Sequence, residues 1–545
     1  MSENLKKESS TSSPINIERI EAPVTLKAYL ICVFATFGGI FFGYDSGYIN
    51  GVSGSKLFIQ AVESSTAKEL SSPHQSLIVS ILSCGTFFGA LIAGDLADFV
   101  GRRTTIIAGC FVYISGVIVQ VATTVNNQPQ ALGLIVAGRL LAGFGVGLVS
   151  ATIIMYMSEI SPRKVRGALV SGYQFCITIG ILLASVVVFA TENRQDTGQY
   201  RIAIAIQFAW GVILATGLFI LPESPRYFIK RNNHEAARAS LSRLRGQPGD
   251  SEYIESELAE IIANAEYEKR VTPSGSYFES WANCFKGSVW EAKSNLRRTI
   301  LGTSLQMMQQ WTGVNFIFYY STPFLQSTGA IKNTFFISLI FTLINVCSTP
   351  LSFWMIERFG RRPLLIWGAL GMLVCQFIVA IVGDTIGFNH THVIDAAGDQ
   401  VANNVAAVNA QIAFICFFIF FFATTWGPGA WVVIGEIFPI SVRSRGVALS
   451  TASNWLWNTI IAVITPYMVN PDRGNLRSNV FFLWGSLCTC ALVYAYFLVP
   501  ETKGLTLEQV DQMFEETTPR LSANWKPRTT FVAQQAHQHE DEKEA

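Results

Sequence analysis

Apolar runs long enough to cross a bilayer recur along the chain with short polar breaks between them. They predict twelve membrane helices at roughly 27–49, 76–97, 104–123, 131–153, 168–190, 202–221, 299–323, 333–355, 363–383, 411–434, 446–468 and 479–499. The residues before them are polar, carry both charge signs and lack an apolar core followed by a cleavage site, which reads as a soluble tail and not a signal peptide. Residues 222–298 interrupt the pattern with Arg, Lys and Glu and with helical spacing near His234–Arg245 and Ser251–Glu268. The expected organisation is a tail (1–26), a six-helix half (27–221), a helical linker (222–298), a second six-helix half (299–504) and a tail (505–545). The fold class is an all-α membrane protein.

Composition strengthens this reading and removes others. Of 545 residues, 50% are hydrophobic and 14% charged, against about 25% charged in soluble domains. With 39 basic and 38 acidic residues there is no electrostatic footprint for nucleic acid. Apart from Cys284 in the linker, the ten cysteines lie in apolar stretches, and Cys488-Thr-Cys490 has the wrong spacing for a redox motif. The six histidines fall in loops or the tail. No metal site, cofactor or nucleophile–base pair is predicted, so the chain is not expected to be an enzyme.

Charge asymmetry orients the helices. Arg102, Arg103, Arg163, Lys164, Arg166, Arg358, Arg361, Arg362, Arg443 and Arg445 crowd four short loops on the side of the termini. The positive-inside rule makes that side cytoplasmic. Asn389-His390-Thr391, a glycosylation acceptor pattern after the ninth helix, then lies outside. The two halves repeat each other. Gly94-Asp-Leu-Ala-Asp-Phe-Val-Gly-Arg-Arg103 follows the second helix and Glu357-Arg-Phe-Gly-Arg-Arg362 the eighth. Glu159 precedes Arg166 by seven residues after the fourth helix, as Glu436 precedes Arg443 after the tenth. Such a duplication suits a site between two halves that rock against each other.

These paired motifs resemble the signatures of the major facilitator superfamily. Pro222-Glu-Ser-Pro-Arg226, Gln309-Gln-Trp-Thr-Gly-Val-Asn315 and Pro500-Glu-Thr-Lys-Gly504 narrow the resemblance to its sugar porter family, over about residues 27–515. Phe42-Gly-Tyr-Asp-Ser-Gly-Tyr-Ile-Asn-Gly51 looks most like fungal hexose transporters. The resemblance implies alternating-access transport of a hexose, glucose being favoured, across the plasma membrane by a monomer, with proton symport. An uncoupled facilitator is the alternative. A glucose sensor is a further one, less favoured because such relatives generally carry a long C-terminal extension, whereas about forty residues follow Gly504 here.

Two ionisable residues lie well inside helices, Asp45 in the first and Arg139 in the fourth, at comparable depth. Intramembrane charges are functional candidates, and a carboxylate alternating between Arg139 and a proton would couple proton movement to conformation. The same pair in sugar–proton symporters implies that role here; the bland reading is a structural pair. A polyol needs amides around it, which offer donor and acceptor together. The resemblance assigns Gln174, Gln309, Gln310, Asn315, Asn345 and Asn454 to sugar hydroxyls, Trp431 to the ring face, and Phe42, Tyr319 and Tyr320 to an outer gate. Interhelical hydrogen bonding is the rival use for such amides. On an unbroken helix Gln309 and Asn315 would point about 120° apart, so a break at Thr312-Gly313 is expected, with a second flexible point at Trp426-Gly-Pro-Gly429. The many Phe of 414–422 read as lipid-facing or filler. Trp311 stands where many relatives have a smaller aliphatic residue, to shape the pocket or face lipid. Asp98 with Arg102 and Arg103, Glu159 with Arg166, Glu357 with Arg361 and Arg362, and Glu436 with Arg443 form a candidate cytoplasmic gating network; orientation signalling and helix-end electrostatics explain the same charges.

Overall fold

The computed structural model describes residues 25–526, apart from 64–69, 124–127, 163–164, 272–276, 292–293, 328–333, 387–391, 395–399, 403, 440, 471–472 and 506. Asn389 therefore lies outside the described residues, as does the side chain of Arg166. Eleven described segments are helical, long and apolar enough to cross a membrane: Leu26–Ser53, Ser72–Val100, Arg102–Val121, Gln130–Ile160, Gly167–Thr191, Gly198–Ile220, Thr334–Phe359, Arg361–Thr385, Val405–Glu436, Arg443–Val469 and Arg477–Leu498. The twelfth, span seven in chain order, is split into Asn295–Trp311 and Val314–Ser327. The spans outrun the apolar runs by several residues at many ends, because polar residues add helical turns beyond the hydrocarbon. The described departure from helix is a two-stranded antiparallel ribbon, His392–Ile394 with Gln400–Ala402, between spans nine and ten.

Helices dominate because a bilayer offers backbone groups no water, and a helix satisfies them within itself. Where a helix breaks, side chains supply the missing partners. Span seven breaks at Thr312-Gly313 as expected, with Gly313 at φ +82°. The Thr312 carbonyl accepts from Gln376 Nε2 of span nine at 2.7 Å, and the Trp484 ring of span twelve covers Gly313. Span ten breaks at Thr425, beside the Trp426–Gly429 run, into Val405–Thr424 and Trp426–Glu436. Spans two and three, and again eight and nine, are joined through a single glycine at positive φ, Gly101 and Gly360. That two-fold recurrence is the internal repeat expressed in backbone geometry.

The linker carries its own small core of Ile229, Ala237, Leu241, Ile254 and Leu258. Its helix His234–Arg245 starts at an Asn233 side-chain cap and stops at left-handed Gly246. Arg245 pins it to the bundle by donating to the Ile160 carbonyl at 2.7 Å and ties it to the next linker helix through Glu257 at 2.6 Å. The end of the bundle on this side is called the linker end below. The halves meet at both ends. At the linker end the Ser444 hydroxyl donates to Asp98 at 2.7 Å, Arg445 pairs with Asp95 at 2.9 Å, and the Ala168 N–H donates to Glu357 at 3.1 Å. At the far end Asn470 donates to the Ser72 hydroxyl at 3.0 Å, and the Ser76 hydroxyl donates to the Val463 carbonyl at 3.1 Å.

Gly313→Ala is expected to destabilise the protein by about 1–3 kcal/mol through strain at positive φ, and further because its Cβ would come within 2.6 Å of the Trp484 ring. Gly504→Ala, also at positive φ (+71°) but with open space around a Cβ, carries the strain alone. Thermal unfolding of the detergent-purified variants checks that Gly313→Ala loses more.

Candidate functional site

Between the halves, midway along the bundle, lies a cavity of about 60 Å³. Its lining includes Gln174, Gln309, Gln310, Asn315, Asn345, Trp431 and Asn454, the seven residues expected around a polyol, and also Phe42 and Tyr319. Tyr320 is not among the lining residues; its hydroxyl donates to the Ala462 carbonyl at 2.7 Å, which ties span seven to span eleven. The split in span seven lets Gln309, Gln310 and Asn315 face one space despite their spacing.

The amides do not all play one part. Gln309 Nε2 donates to the Trp426 and Gly427 carbonyls at 3.0 and 2.9 Å, and its Oε1 accepts from Asn454 at 2.8 Å. Gln309 thus braces the break in span ten while lining the cavity, so hydrogen bonding within the bundle and a place at the site coexist in one residue. Asn454 also donates to Gln306 at 2.7 Å, and Asn315 donates to Gln310. Asn345 Oδ1 is buried with no hydrogen-bond partner. Trp431 is held edge-on by Tyr173, ring centroids 5.8 Å apart. Phe42 packs edge-on against Trp455 at 4.8 Å, across the two halves.

Several lining residues escaped the sequence reading. Asn458 lines the cavity, donates to the Tyr319 hydroxyl at 3.1 Å and accepts from Ser83 at 2.8 Å, so it joins the expected gate tyrosine to span two of the other half. It lies one helical turn beyond Asn454, a spacing that would have found it. Ser46, Phe318, Ile177 and Ile181 also line the space. Phe422, expected as filler, does so too, because the break at Thr425 turns the end of that helix inward. Trp311 is not a lining residue; it packs edge-on against Trp457 at 5.0 Å.

Asp45 and Arg139 are wholly buried side by side, Arg139 Nη1 lying 3.9 Å from Asp45 Oδ1. That is an ion-pair distance and too long for a hydrogen bond. Both Asp45 oxygens lack a hydrogen-bond partner. Arg139 donates instead to the Tyr48 hydroxyl at 2.6 Å and to the Ile78 carbonyl at 2.8 Å. Ser46, next to Asp45 in the chain, lines the cavity.

The charges at the linker end pair across loops as well as within them. Glu159 bonds Arg102 through both carboxylate oxygens, each at 3.1 Å, and accepts from Ser224. Glu436 bonds Arg361 at 2.9 and 3.2 Å and accepts from Thr502 at 2.7 Å. The arginine that each of these glutamates holds comes from the neighbouring Gly-Arg-Arg turn. The Arg443 guanidinium donates to the Phe438 carbonyl at 2.8 and 3.2 Å. The i,i+4 contacts Asp98–Arg102 and Glu357–Arg361 form at 3.1 and 3.6 Å. Arg103 and Arg362 point elsewhere, to the Leu221 and Tyr496 carbonyls.

Two further motifs, Pro222–Arg226 and Pro500–Gly504, mark the family in the sequence and do structural work in the fold. Glu223 accepts from the backbone N–H groups of Arg102 and Arg103 at 2.9 and 3.0 Å, and Glu501 from those of Arg361 and Arg362 at 3.0 and 3.1 Å. Each carboxylate caps the first turn of a span, where N–H groups are orphaned and the helix dipole favours negative charge. Burial pushes the Glu223 carboxyl up, while the N–H groups of Ser224, Arg103 and Arg102 pull it back. Glu223→Gln and Glu501→Gln each put an NH2 against a backbone donor, and each is expected to cost about 1–2 kcal/mol. Denaturation midpoints of the purified variants measure this.

Residues 31–514 match the family model described as sugar (and other) transporter. The major facilitator-type transporter ecdD of Aspergillus rugulosus is 45% identical over 92% of this chain and 90% of its own length. The probable glucose transporter rco-3 of Neurospora crassa is 39% identical over 94% and 82%. Among solved structures, the proton:xylose symporter XylE of E. coli, bound to 6-bromo-6-deoxy-D-glucose, superposes with a TM-score of 0.75 at 25% identity, over 90% of this chain and 99% of that one. A duplicated twelve-span bundle, a polar cavity between its halves and a match over nearly the whole chain lead to one conclusion: the chain belongs to the sugar transporter family of the major facilitator superfamily.

Proposed function

We propose that this protein carries a hexose, glucose being favoured, across the plasma membrane in symport with a proton, by exposing the cavity alternately to either side. The observation that carries the coupling is Asp45, a fully buried carboxyl without a hydrogen bond, 3.9 Å from a buried arginine and adjacent in sequence to a cavity residue. A buried carboxylate left unpaired costs about 3–5 kcal/mol, so a change in its pairing is felt by the packing of spans one and four. The amides fit a polyol: Asn345 presents a buried acceptor without a partner, and Trp431 presents an apolar face.

The names of the relatives support the substrate class: a probable glucose transporter in Neurospora crassa, and a proton:xylose symporter that holds a glucose derivative. The basic loops at the linker end favour a cytoplasmic linker and termini. With the cavity outward, Asp98, Glu357 and their partners across the seam hold the cytoplasmic end closed; with the cavity inward, those contacts part.

Hexose-transport-deficient yeast expressing the chain should show transient external alkalinisation on glucose addition, in step with uptake. Asp45→Asn should abolish both alkalinisation and uphill accumulation while leaving downhill exchange. Uptake without proton movement would establish a facilitator and reduce Asp45–Arg139 to a packing pair. Within the site, Asn345→Ala is expected to raise the half-saturating sugar concentration about tenfold, the loss of one to two hydrogen bonds, as read from uptake kinetics at matched surface expression.

A further inference from the structure

Asp45 and Tyr48 are three residues apart on span one and so share a helix face. Arg139, reaching across from span four, addresses both, yet the contacts are unequal. Its Nη1 donates to the Tyr48 hydroxyl at 2.6 Å and stands 3.9 Å from Asp45. Its Nε is anchored on the Ile78 carbonyl at 2.8 Å. The Tyr48 O–H is itself committed to Gln120 Oε1 at 2.6 Å, which leaves a hydroxyl lone pair for Arg139. A hydrogen bond from a guanidinium to a carboxylate is about twice as strong as one to a neutral oxygen. At a fully buried site an ionised Asp45 would take Nη1 from Tyr48. The guanidinium rests on the phenol, which is the arrangement of a protonated Asp45.

We propose that Tyr48 is a positioning residue: its hydroxyl holds Arg139 off Asp45 while Asp45 carries the proton, and so sets the proton affinity of the coupling carboxyl. When the proton leaves to water, Arg139 transfers from the phenol to the carboxylate, and reprotonation returns it. The inference rests on the symport reading above.

The other titratable groups around the pair are engaged elsewhere. Tyr44 on the same helix donates to the Ala203 carbonyl at 2.9 Å, and Tyr113 of span three donates to Gln207 at 2.9 Å. From span seven, Tyr319 accepts from Asn458 and Tyr320 donates to the Ala462 carbonyl. From span two the Ile78 carbonyl accepts from Arg139. Among the described residues, Tyr48 is thus the hydroxyl that competes with Asp45 for the guanidinium.

The test is the pH dependence of initial uptake rate and of proton flux for the full chain, comparing wild type, Tyr48→Phe, Tyr48→Leu and Asp45→Asn at matched surface expression. Removing the hydroxyl frees Arg139 for the carboxylate, which favours the ionised form. The midpoint above which uptake falls should therefore move about one pH unit to the acid side, a roughly tenfold weaker proton affinity, with sugar affinity at the acid limit unchanged. Asp45→Asn should flatten the profile, and adding Tyr48→Phe to it should change nothing more. Tyr48→Leu, a second side chain without a hydroxyl, must shift the midpoint the same way. A coupled wild type with an unmoved or alkaline-shifted midpoint in both variants overturns the role of Tyr48 alone. A wild type that moves no proton overturns the symport reading, and this inference with it.

Discussion

Polar groups inside this bundle have no water to fall back on, and that constraint organises the rest of the structure. Every break in a helix frees backbone groups that something else must satisfy. At span seven the something is Gln376; at span ten Gln309 clamps the first carbonyls past the break. The breaks in turn aim side chains into the space between the halves. The cavity is therefore a product of two interrupted helices and the amides that make the interruptions bearable. Among the buried polar atoms that stay unmatched, those of Asp45 and Asn345 are the ones that bear on charge and on the cavity.

The fold was legible because its signal is long and redundant. Spans of apolar residues, repeated Gly-Arg-Arg turns and basic loops each point to the same duplicated bundle. The break at Thr312-Gly313 was legible for a geometric reason: Gln309 and Asn315 cannot otherwise face one space. The seven polar and aromatic residues named for the site line one cavity, since the motifs that mark them keep fixed positions on their spans.

What remained hidden depends on distances across the fold. Spacing of seven residues suggested Glu159–Arg166 and Glu436–Arg443, but no spacing announces the guanidiniums that Glu159 and Glu436 hold from other loops, Arg102 and Arg361. Phe422 reads as one more lipid-facing phenylalanine until the kink at Thr425 is known. Tyr48 reads as an aromatic in an apolar run until Arg139 is seen to rest on it. In each case the residue type was plain and the partner was not.

The capping carboxylates at the linker end also say something about how the chain comes into being. Glu223 lies 121 residues after the backbone N–H of Arg102 that it receives, and Glu501 lies 140 after that of Arg361. A ribosome delivers spans in order, so the first turn of span three waits, without its carboxylate, until three more spans have emerged. Span nine waits in the same way for span twelve. Each half thus ends its own synthesis with the residue that fastens its middle, and the first half can be complete before the second has begun.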